Sequence, residues 1–473
     1  MNITCDLLVL GAGPGGYVAA MRSAQLGMKT VCVEKEAVGG VCLNWGCIPS
    51  KALLFAGASY RQIGHLSAYG IKAEGVSFDP AALRVQKQKV VKQLVGGVVQ
   101  LLKHNGVEVL NGRGEFVDAQ KLNVKLNAGG EATVSFKKAI LATGSRPAEL
   151  PHLKVDGKNV WGAREALEFE RWPKQLLVVG GGAIGVELAD FFSSFGVSVT
   201  VVEVLPHLLP TLDKDLGTLL EREFKKRKID VRCGSKVTAL NVKGPNQLEA
   251  TVEAGGKTEK IACDQVLVAI GQKPYLEGVA ADRLGLKLDA RGFIEVKPDM
   301  STSKPGIYAI GDVTGRQLLA HKASHEGIVA AEAAAGKKSQ MNWNAVPGAI
   351  FTEPEIATVG LTEQEATKAG HQVKVGKFPL AACGKAIATL HTEGFVKVVA
   401  DAKDDTLLGA HIAGLGAADL IAPYTLALEM EATAEDVAHT IFVHPTLSEA
   451  LGEAALDVDR HALHIYNPKR KTG

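Results

Sequence analysis

The sequence predicts an α/β fold in two repeated units, followed by an α+β unit. Three observations predict it. The pattern strand, glycine turn, helix, strand, acid occurs twice. A shorter motif, apolar strand then Gly then Pro, also occurs twice. From Ala349 onward the glycine turns stop and strand-like runs alternate with helical ones.

The first copy begins with the apolar run Asp6–Leu10, which stops at Gly11-Ala12-Gly13-Pro14-Gly15-Gly16. A helical pattern covers Tyr17–Leu26, and the apolar run Lys29–Val33 ends in Glu34. The second copy has strand Leu176–Val179, turn Gly180-Gly181-Gly182-Ala183-Ile184-Gly185, a helix to about Phe195, strand Val197–Val202, and Glu203. First glycine and acid are 23 residues apart in both copies.

A dinucleotide's pyrophosphate needs backbone N–H groups at a helix N-terminus. Gly11 and Gly180 allow the tight turn, and Gly13 and Gly182 leave room for the phosphates. Gly16 and Gly185 let helix and strand pack closely. Glu34 and Glu203 suit the ribose hydroxyls. A single such match often marks only a structural turn; two with equal spacing indicate Rossmann-like dinucleotide-binding units. No Arg or Lys lies between Glu203 and Lys214. The Glu203 carboxylate would repel a 2′-phosphate, so the second site is expected to take NAD rather than NADP.

The second echo is Ala139–Thr143 with Gly144-Ser145-Arg146-Pro147, against Val266–Ile270 with Gly271-Gln272-Lys273-Pro274. Each reads as the last strand of its unit. A further strand, Gly306–Ile310, ends in Gly311-Asp312. In the last unit, Phe395–Val399 and Leu407–Ile412 read as strands with alternating patterning, and Leu420–Met430 as a long amphipathic helix. The basic tail Asn467–Gly473 is expected to fray.

Composition narrows the function. Of 473 residues, 46% are hydrophobic, enough for a packed core. Lys+Arg total 53 and Asp+Glu 51, for a net charge of +2, so nothing favours nucleic acid. No apolar run reads as a membrane span of ~20 residues, and the N-terminus lacks a basic leader region. Seven cysteines fit a reducing compartment rather than a disulfide scaffold. Gly makes up 52 residues, above the usual ~7%.

The most specific stretch is Gly39-Gly40-Val41-Cys42-Leu43-Asn44-Trp45-Gly46-Cys47-Ile48-Pro49-Ser50-Lys51. Five residues on a regular helix rise about 7.5 Å, more than the ~4.4–6.8 Å between disulfide-linked Cα atoms. A bond between Cys42 and Cys47 therefore needs a distorted turn, for which Gly46 supplies the freedom. A helix start here would favour a thiolate. Two free core cysteines are the alternative. Core packing is also the reading for Cys5, Cys32, Cys233 and Cys263. Near the C-terminus, His444-Pro445-Thr446-Leu447-Ser448-Glu449 reads as a turn into a helix. Imidazole can serve as base and acid for thiol exchange, with Glu449 to orient it. A mere helix-capping His444 is the alternative.

In sum GAGPGG, GGVCLNWGCIPSK, ATGSRP, GGGAIGVE, GIYAIGDV and HPTLSE, in that order, resemble the FAD-dependent pyridine nucleotide–disulfide oxidoreductases over essentially the whole chain. Within that family the likeness is to the members that oxidise dihydrolipoamide. The resemblance implies an FAD-binding domain at 1–147 and an NAD-binding domain at 148–275. A central segment, 276–345, would complete the FAD-binding part, and 346–473 would be an interface domain for a homodimer. It implies that Cys42 and Cys47 form the redox disulfide, Cys47 against the flavin and Cys42 toward the substrate. Lys51 would sit beside the flavin, paired with Glu187, and Asp312 would contact the flavin's ribityl chain. Gly144 and Gly271 would line the two cofactor sites.

By the same resemblance, His444 and Glu449 would act on the disulfide of the other subunit, and the His444–Pro445 bond would be cis. The implied reaction takes protein-bound dihydrolipoamide to lipoamide with NAD⁺ as acceptor, for 2-oxoacid dehydrogenase or glycine cleavage complexes. Implied partners are lipoyl domains and a peripheral-subunit-binding domain of an acyltransferase core; no metal is implied. The implied location is a bacterial cytoplasm or an organelle matrix. An NADPH-dependent glutathione reductase is the rival, disfavoured by Glu203 and by IPSK in place of VPKK. Two positions depart from the family: Phe442 stands where a second His is common, and Cys383 where Asn is common.

Overall fold

A computed structural model of the chain describes residues 1–467; the tail expected to fray lies outside them except for Asn467. The first unit opens with β1 (Asn2–Leu10), α1 (Pro14–Gln25) and β2 (Thr30–Glu34). After these come α2 (Gly40–Trp45), α3 (Cys47–His65) and α4 (Pro80–His104). Strands β3 (Glu108–Asp118), β4 (Lys121–Leu126) and β5 (Glu131–Leu141) complete its first pass. β1 pairs in parallel with both β2 and β5, while β3, β4 and β5 continue as an antiparallel meander. Leu7, Leu8 and Val9 are fully buried, as expected where helices cover a parallel sheet.

The short strand β6 (Ser145–Pro147) leads out. The second unit follows as β7 (Val160–Trp161), α5 (Ala163–Glu168), β8 (Gln175–Val179), α6 (Ala183–Ser194), β9 (Ser198–Val202), α7 (Lys214–Lys226) and β10 (Asp230–Arg232). It then repeats the meander as β11 (Ser235–Gly244), β12 (Gln247–Ala254) and β13 (Lys257–Cys263), before β14 (Gln265–Val268). The parallel order is β10-β9-β8-β14-β7. α6 is buried nearly all round. Phe191 and Phe192 are fully covered within an aromatic cluster that includes Phe169 and Trp172. Truncating either to Ala would cost about 3–5 kcal/mol.

The second echo has a structural meaning. Gln272–Pro274 forms β15, which pairs antiparallel with β6, Lys273 opposite Arg146. The repeated motifs thus bond to each other and join the two units. β14 is the last strand of the second unit along the chain, as the motif implies, but β5 is not the last of the first, a correction to the sequence reading. β16 (Ile307–Ala309) adds in parallel beyond β5, and β7 lies beyond β14. A strand's place in a sheet depends on segments distant along the chain, such as β16 and β7, which local motifs do not encode.

The third unit is an antiparallel sheet of β17 (Gly348–Ile350), β18 (Ile356–Gly360), β19 (Val373–Pro379), β20 (Phe395–Asp401) and β21 (Leu407–Ala413), in the order β17-β18-β21-β20-β19. The expected alternation in β20 and β21 is absent, because both faces are covered. Phe395 and Ala413 join the core of the second unit, while Val396, Val398 and Ile412 pack under the third unit's own helices. The expected long helix is two short ones, Ala417–Leu420 and Ala422–Glu429, the second opening with a proline in its first turn.

Among the described residues, one helical stretch, 40–69, is long and apolar enough to cross a membrane. That corrects the expectation of no such run. The stretch is broken at Gly46, and its Lys51 and Arg61 form ion pairs with other units.

Candidate active site

The two glycine turns have the same geometry. Gly11 and Gly180 have φ of +102° and +112°, and a Cβ on either would collide with the carbonyl of Ala142 or Ala269 on the neighbouring strand. A Cβ on Gly16 or Gly185 would strike the carbonyl of Gly11 or Gly180. Gly13 and Gly182 cap α1 and α6 in extended conformation, with no side-chain cap and no acid in the first turn. Space beside Gly182 is open, and Gly13 meets only the Cα of Gly40 at 3.9 Å. Uncapped helix N–H groups facing open space are what a pyrophosphate requires.

The acids also behave alike, in a way the spacing does not show. Glu34 accepts hydrogen bonds from Ala12 N at 2.7 Å and Glu36 N at 2.8 Å. Glu203 accepts from Gly181 N at 2.6 Å and Leu205 N at 2.8 Å. Each carboxylate closes its own turn and retains lone pairs for a ribose. Gly144 and Gly271, at φ +76° and +110°, have open space where a side chain would be.

The two cysteines flank a helix break. α2 ends at Gly46, whose φ of −143° and ψ of −114° interrupt the helix, and Cys47 begins α3. This is the distorted turn the spacing demands. Both are free thiols, and the Cys42 thiol hydrogen-bonds to Cys47. That bond, then the Lys51 charge, holds the Cys47 thiol below its ordinary range. The same bond, burial and the Cys47 charge push Cys42 upward. The pair thus favours a thiolate on Cys47 over one on Cys42. Elsewhere burial pushes Cys5 up to about 11, and Cys233 and Cys263 up to about 12. Those thiols are inert at neutral pH.

Lys51 and Glu187 come together from α3 and α6. Lys51 Nζ lies 3.0 and 2.9 Å from the two Glu187 oxygens, and Glu187 is 7% exposed. A third group is not legible in the sequence. The Phe351 N–H donates to Glu187 Oε1 at 3.0 Å, and its ring centre lies 4.3 Å from Lys51 Nζ. No local pattern singles out Phe351, because its part depends on how the third unit docks.

Asp312 stands just past β16, where its Oδ2 accepts from Ser145 Oγ at 2.6 Å. Beneath it lies a completely buried pair, Lys322 and Glu326, 3.3 Å apart. Lys322 Nζ donates to the carbonyls of Gly311 and Gly315 at 3.2 Å each, and Glu326 accepts from Gly311 N at 2.7 Å. In sequence the pair is an ordinary i,i+4 helix couple; only burial makes it the clamp of this turn.

His444 Nδ1 lies 2.8 Å from Glu449 Oε1. The Thr446 N–H, then His444, hold the Glu449 carboxyl below its usual range. The His444–Pro445 bond is cis. Among the described residues no hydrogen bond joins this pair to the cysteines of its own chain. Both family departures are packed inside the third unit. The Cys383 thiol donates to the Thr446 carbonyl at 3.5 Å, and Phe442 lies against Gly452.

Residues 5–327 match the pyridine nucleotide-disulphide oxidoreductase family, and 346–455 match the dimerisation domain of the same family. The chain is 47% identical over 467 residues to the dihydrolipoyl dehydrogenase of Thermus scotoductus, covering 98% of this chain and 99% of the relative. It is 46% identical over 457 residues to that of Geobacillus stearothermophilus, covering 96% of each. Among solved structures, LpdA from Mycobacterium tuberculosis superposes with a TM-score of 0.88 at 26% identity, covering 95% of this chain and 99% of that one. The Cu(II) complex of the flavoprotein disulfide reductase RclA from Escherichia coli gives 0.84 at 25%, covering 96% and 99%. The chain belongs to the pyridine nucleotide–disulphide oxidoreductases, flavoenzymes that use FAD and NAD.

Proposed function

We propose that this chain oxidises dihydrolipoamide carried on a lipoyl domain, with NAD⁺ as the final acceptor. One observation carries the reading. A cysteine pair flanking the helix break at Gly46 lies one helical turn before Lys51, whose ion pair with Glu187 bridges the two dinucleotide units. The relatives named dihydrolipoyl dehydrogenase, matched nearly end to end, support it.

In this reading the first glycine turn, Glu34, Gly144 and Asp312 hold FAD, and the second turn, Glu203 and Gly271 hold NAD. The chemistry the flavin supplies when bound is passage of an electron pair from the dithiol to NAD⁺ as hydride. The chain's own residues do the rest. In the oxidised enzyme Cys42 and Cys47 are joined. His444 takes a proton from one substrate thiol, and that thiolate attacks Cys42 Sγ. The Cys42–Cys47 bond breaks, leaving the Cys47 thiolate, which Lys51 stabilises. The second substrate thiol displaces Cys42 and its proton passes to the departing Cys42 sulfur, which leaves as a thiol, while the first proton stays on His444. The substrate departs as the cyclic disulfide, two electrons poorer. Glu449 fixes the His444 tautomer and stabilises the imidazolium. A homodimer would present the exposed His444–Glu449 pair of one subunit to the cysteines of the other.

The test mixes the yellow protein with dihydrolipoamide and NAD⁺ and follows NADH absorbance. Turnover in the parent, and none in a Cys42→Ser variant that keeps its flavin, is expected. Glutathione-disulfide reduction by NADPH, with no NADH formed from dihydrolipoamide, would overturn the reading. Co-elution with a peripheral-subunit-binding domain in size exclusion tests the partner; separate elution counts against it.

A further inference from the structure

A second ionic link joins the helices that carry the redox residues. Arg61 lies on α3, ten residues after Lys51, and Asp190 on α6, three after Glu187. Arg61 Nη2 is 3.1 Å from Asp190 Oδ2, and its Nη1 donates to Ser194 Oγ. Its Nε donates to Glu353 Oε2 at 2.6 Å. The Arg61 side chain is 15% exposed and that of Asp190 only 1%. The helices approach closely at Gly57, where a Cβ would sit 3.0 Å from Ser194 Oγ.

Both links end on the same short segment of the third unit. Phe351 N–H donates to Glu187, and two residues later Glu353 accepts from Arg61. All three units therefore meet in one polar strip, with Lys51–Glu187 at one end and Arg61–Asp190–Glu353 at the other.

A second cation stands beside Asp190. Arg227, the C-cap residue of α7, lies within ion-pair distance of it but makes no hydrogen bond to it. Arg61 is the cation that hydrogen-bonds the Asp190 carboxylate. Its planar fork reaches Asp190 and Glu353 at once, which fixes an angle as well as a distance.

We propose that Arg61 is a positioning residue for hydride transfer. Through Asp190 and Glu353 it holds α6 and segment 351–353 in register with α3. That register sets Glu187 against Lys51, and the NAD unit against the flavin unit. A misplacement of about 1 Å at such a junction can cost on the order of 10²-fold in rate. Attack of the dithiol on Cys42 draws on α2, α3 and the His444–Glu449 pair, none of which lies on α6 or on segment 351–353. The inference rests on the function proposed above.

The test uses full-length, flavin-bound Arg61→Gln, Glu353→Ala and the double variant. Two half-reactions are timed separately by stopped flow: reduction by dihydrolipoamide without NAD⁺, and reoxidation of the reduced protein by NAD⁺. Reduction should stay within about 2-fold of the parent, and reoxidation should fall about 10-fold or more. The double variant should be no worse than the worse single one, since both residues act as one unit. Hydrogen–deuterium exchange gives a readout independent of turnover. The Phe351 amide should exchange at least about 10-fold faster in either variant, while amides of β1 and β8 do not change.

Equal loss in both half-reactions, unchanged reoxidation, or unchanged Phe351 exchange would overturn the proposal. Should Arg61→Gln not fold, Glu353→Ala decides, because that carboxylate is 31% exposed and its loss leaves Asp190 paired. A parent protein that fails both half-reactions would sink the functional reading instead, and the exchange experiment would still decide the positioning.

Discussion

His444 Nδ1 lies 2.8 Å from the Glu449 carboxylate, yet 77% of the His444 side chain is exposed. An ordered but uncovered imidazole has its other nitrogen, Nε2, free to meet a substrate thiol. A hydrogen bond to a charged group contributes about 1.5–3 kcal/mol. Glu449→Gln should therefore lower kcat with dihydrolipoamide by roughly 10–150-fold. His444→Gln, which removes the proton carrier itself, should cost about 10²–10⁴-fold. Steady-state rates at several pH values decide it. A Glu449→Gln variant with the parent's kcat and pH profile would show the pair to be structural.

Lys51 and Glu187 act on Cys47 with opposite sign. The ammonium favours the Cys47 thiolate and the carboxylate opposes it. Lys51→Met should move the onset of Cys47 alkylation by iodoacetamide, in the dithiol-reduced protein, to higher pH. Glu187→Gln should move it to lower pH. The labelled cysteine is identified by peptide mass. Shifts in the same direction would contradict the field assigned to this pair.

In the proposed function Glu203 would read the nicotinamide cofactor's ribose, while it holds its own turn through Gly181 and Leu205. The parent should prefer NAD⁺ over NADP⁺. Glu203→Gln should narrow that preference by roughly 10-fold, since a charged acceptor loses about 1.5–3 kcal/mol on neutralisation. The comparison is kcat/KM for the two cofactors. An unchanged ratio would mean that specificity is set elsewhere.

Lys322 and Glu326 are both wholly buried. Removing one member of such a pair costs about 3–5 kcal/mol, because the other charge is left without its partner. Lys322→Met should lower the thermal midpoint. It should also weaken flavin retention, because Gly311 and Gly315 lose their shared donor beside Asp312. Flavin released on dilution, measured by fluorescence, separates the second effect from the first. Unaltered flavin retention would confine Lys322 to stability.

What was legible in the chain follows a physical division. The glycine turns announce themselves because steric demands at Gly11, Gly16, Gly180 and Gly185 come from backbone atoms within the same βαβ unit. The Cys42–Cys47 pair is legible because its spacing conflicts with a regular helix, and the break at Gly46 resolves the conflict. The His444–Glu449 bond spans five residues and one turn. Residues whose role depends on docking between units left no such trace. Phe351 and Arg61 look ordinary in sequence, and Lys322–Glu326 looks like a solvated helix pair.

Sequence alone therefore determined the two dinucleotide units, which rest on short-range geometry, and through the resemblance its motifs carry it implied the redox cysteines and the family. Tertiary structure alone decided how β16 closes the first sheet and why β20 and β21 lack a polar face. It also decided which groups clamp the Lys51–Glu187 pair from the third unit. The reason is range. Turn and helix-start chemistry acts over a few residues. Buried charge and sheet order depend on segments 100 or more residues away, such as Lys51 to Glu187 at a separation of 136.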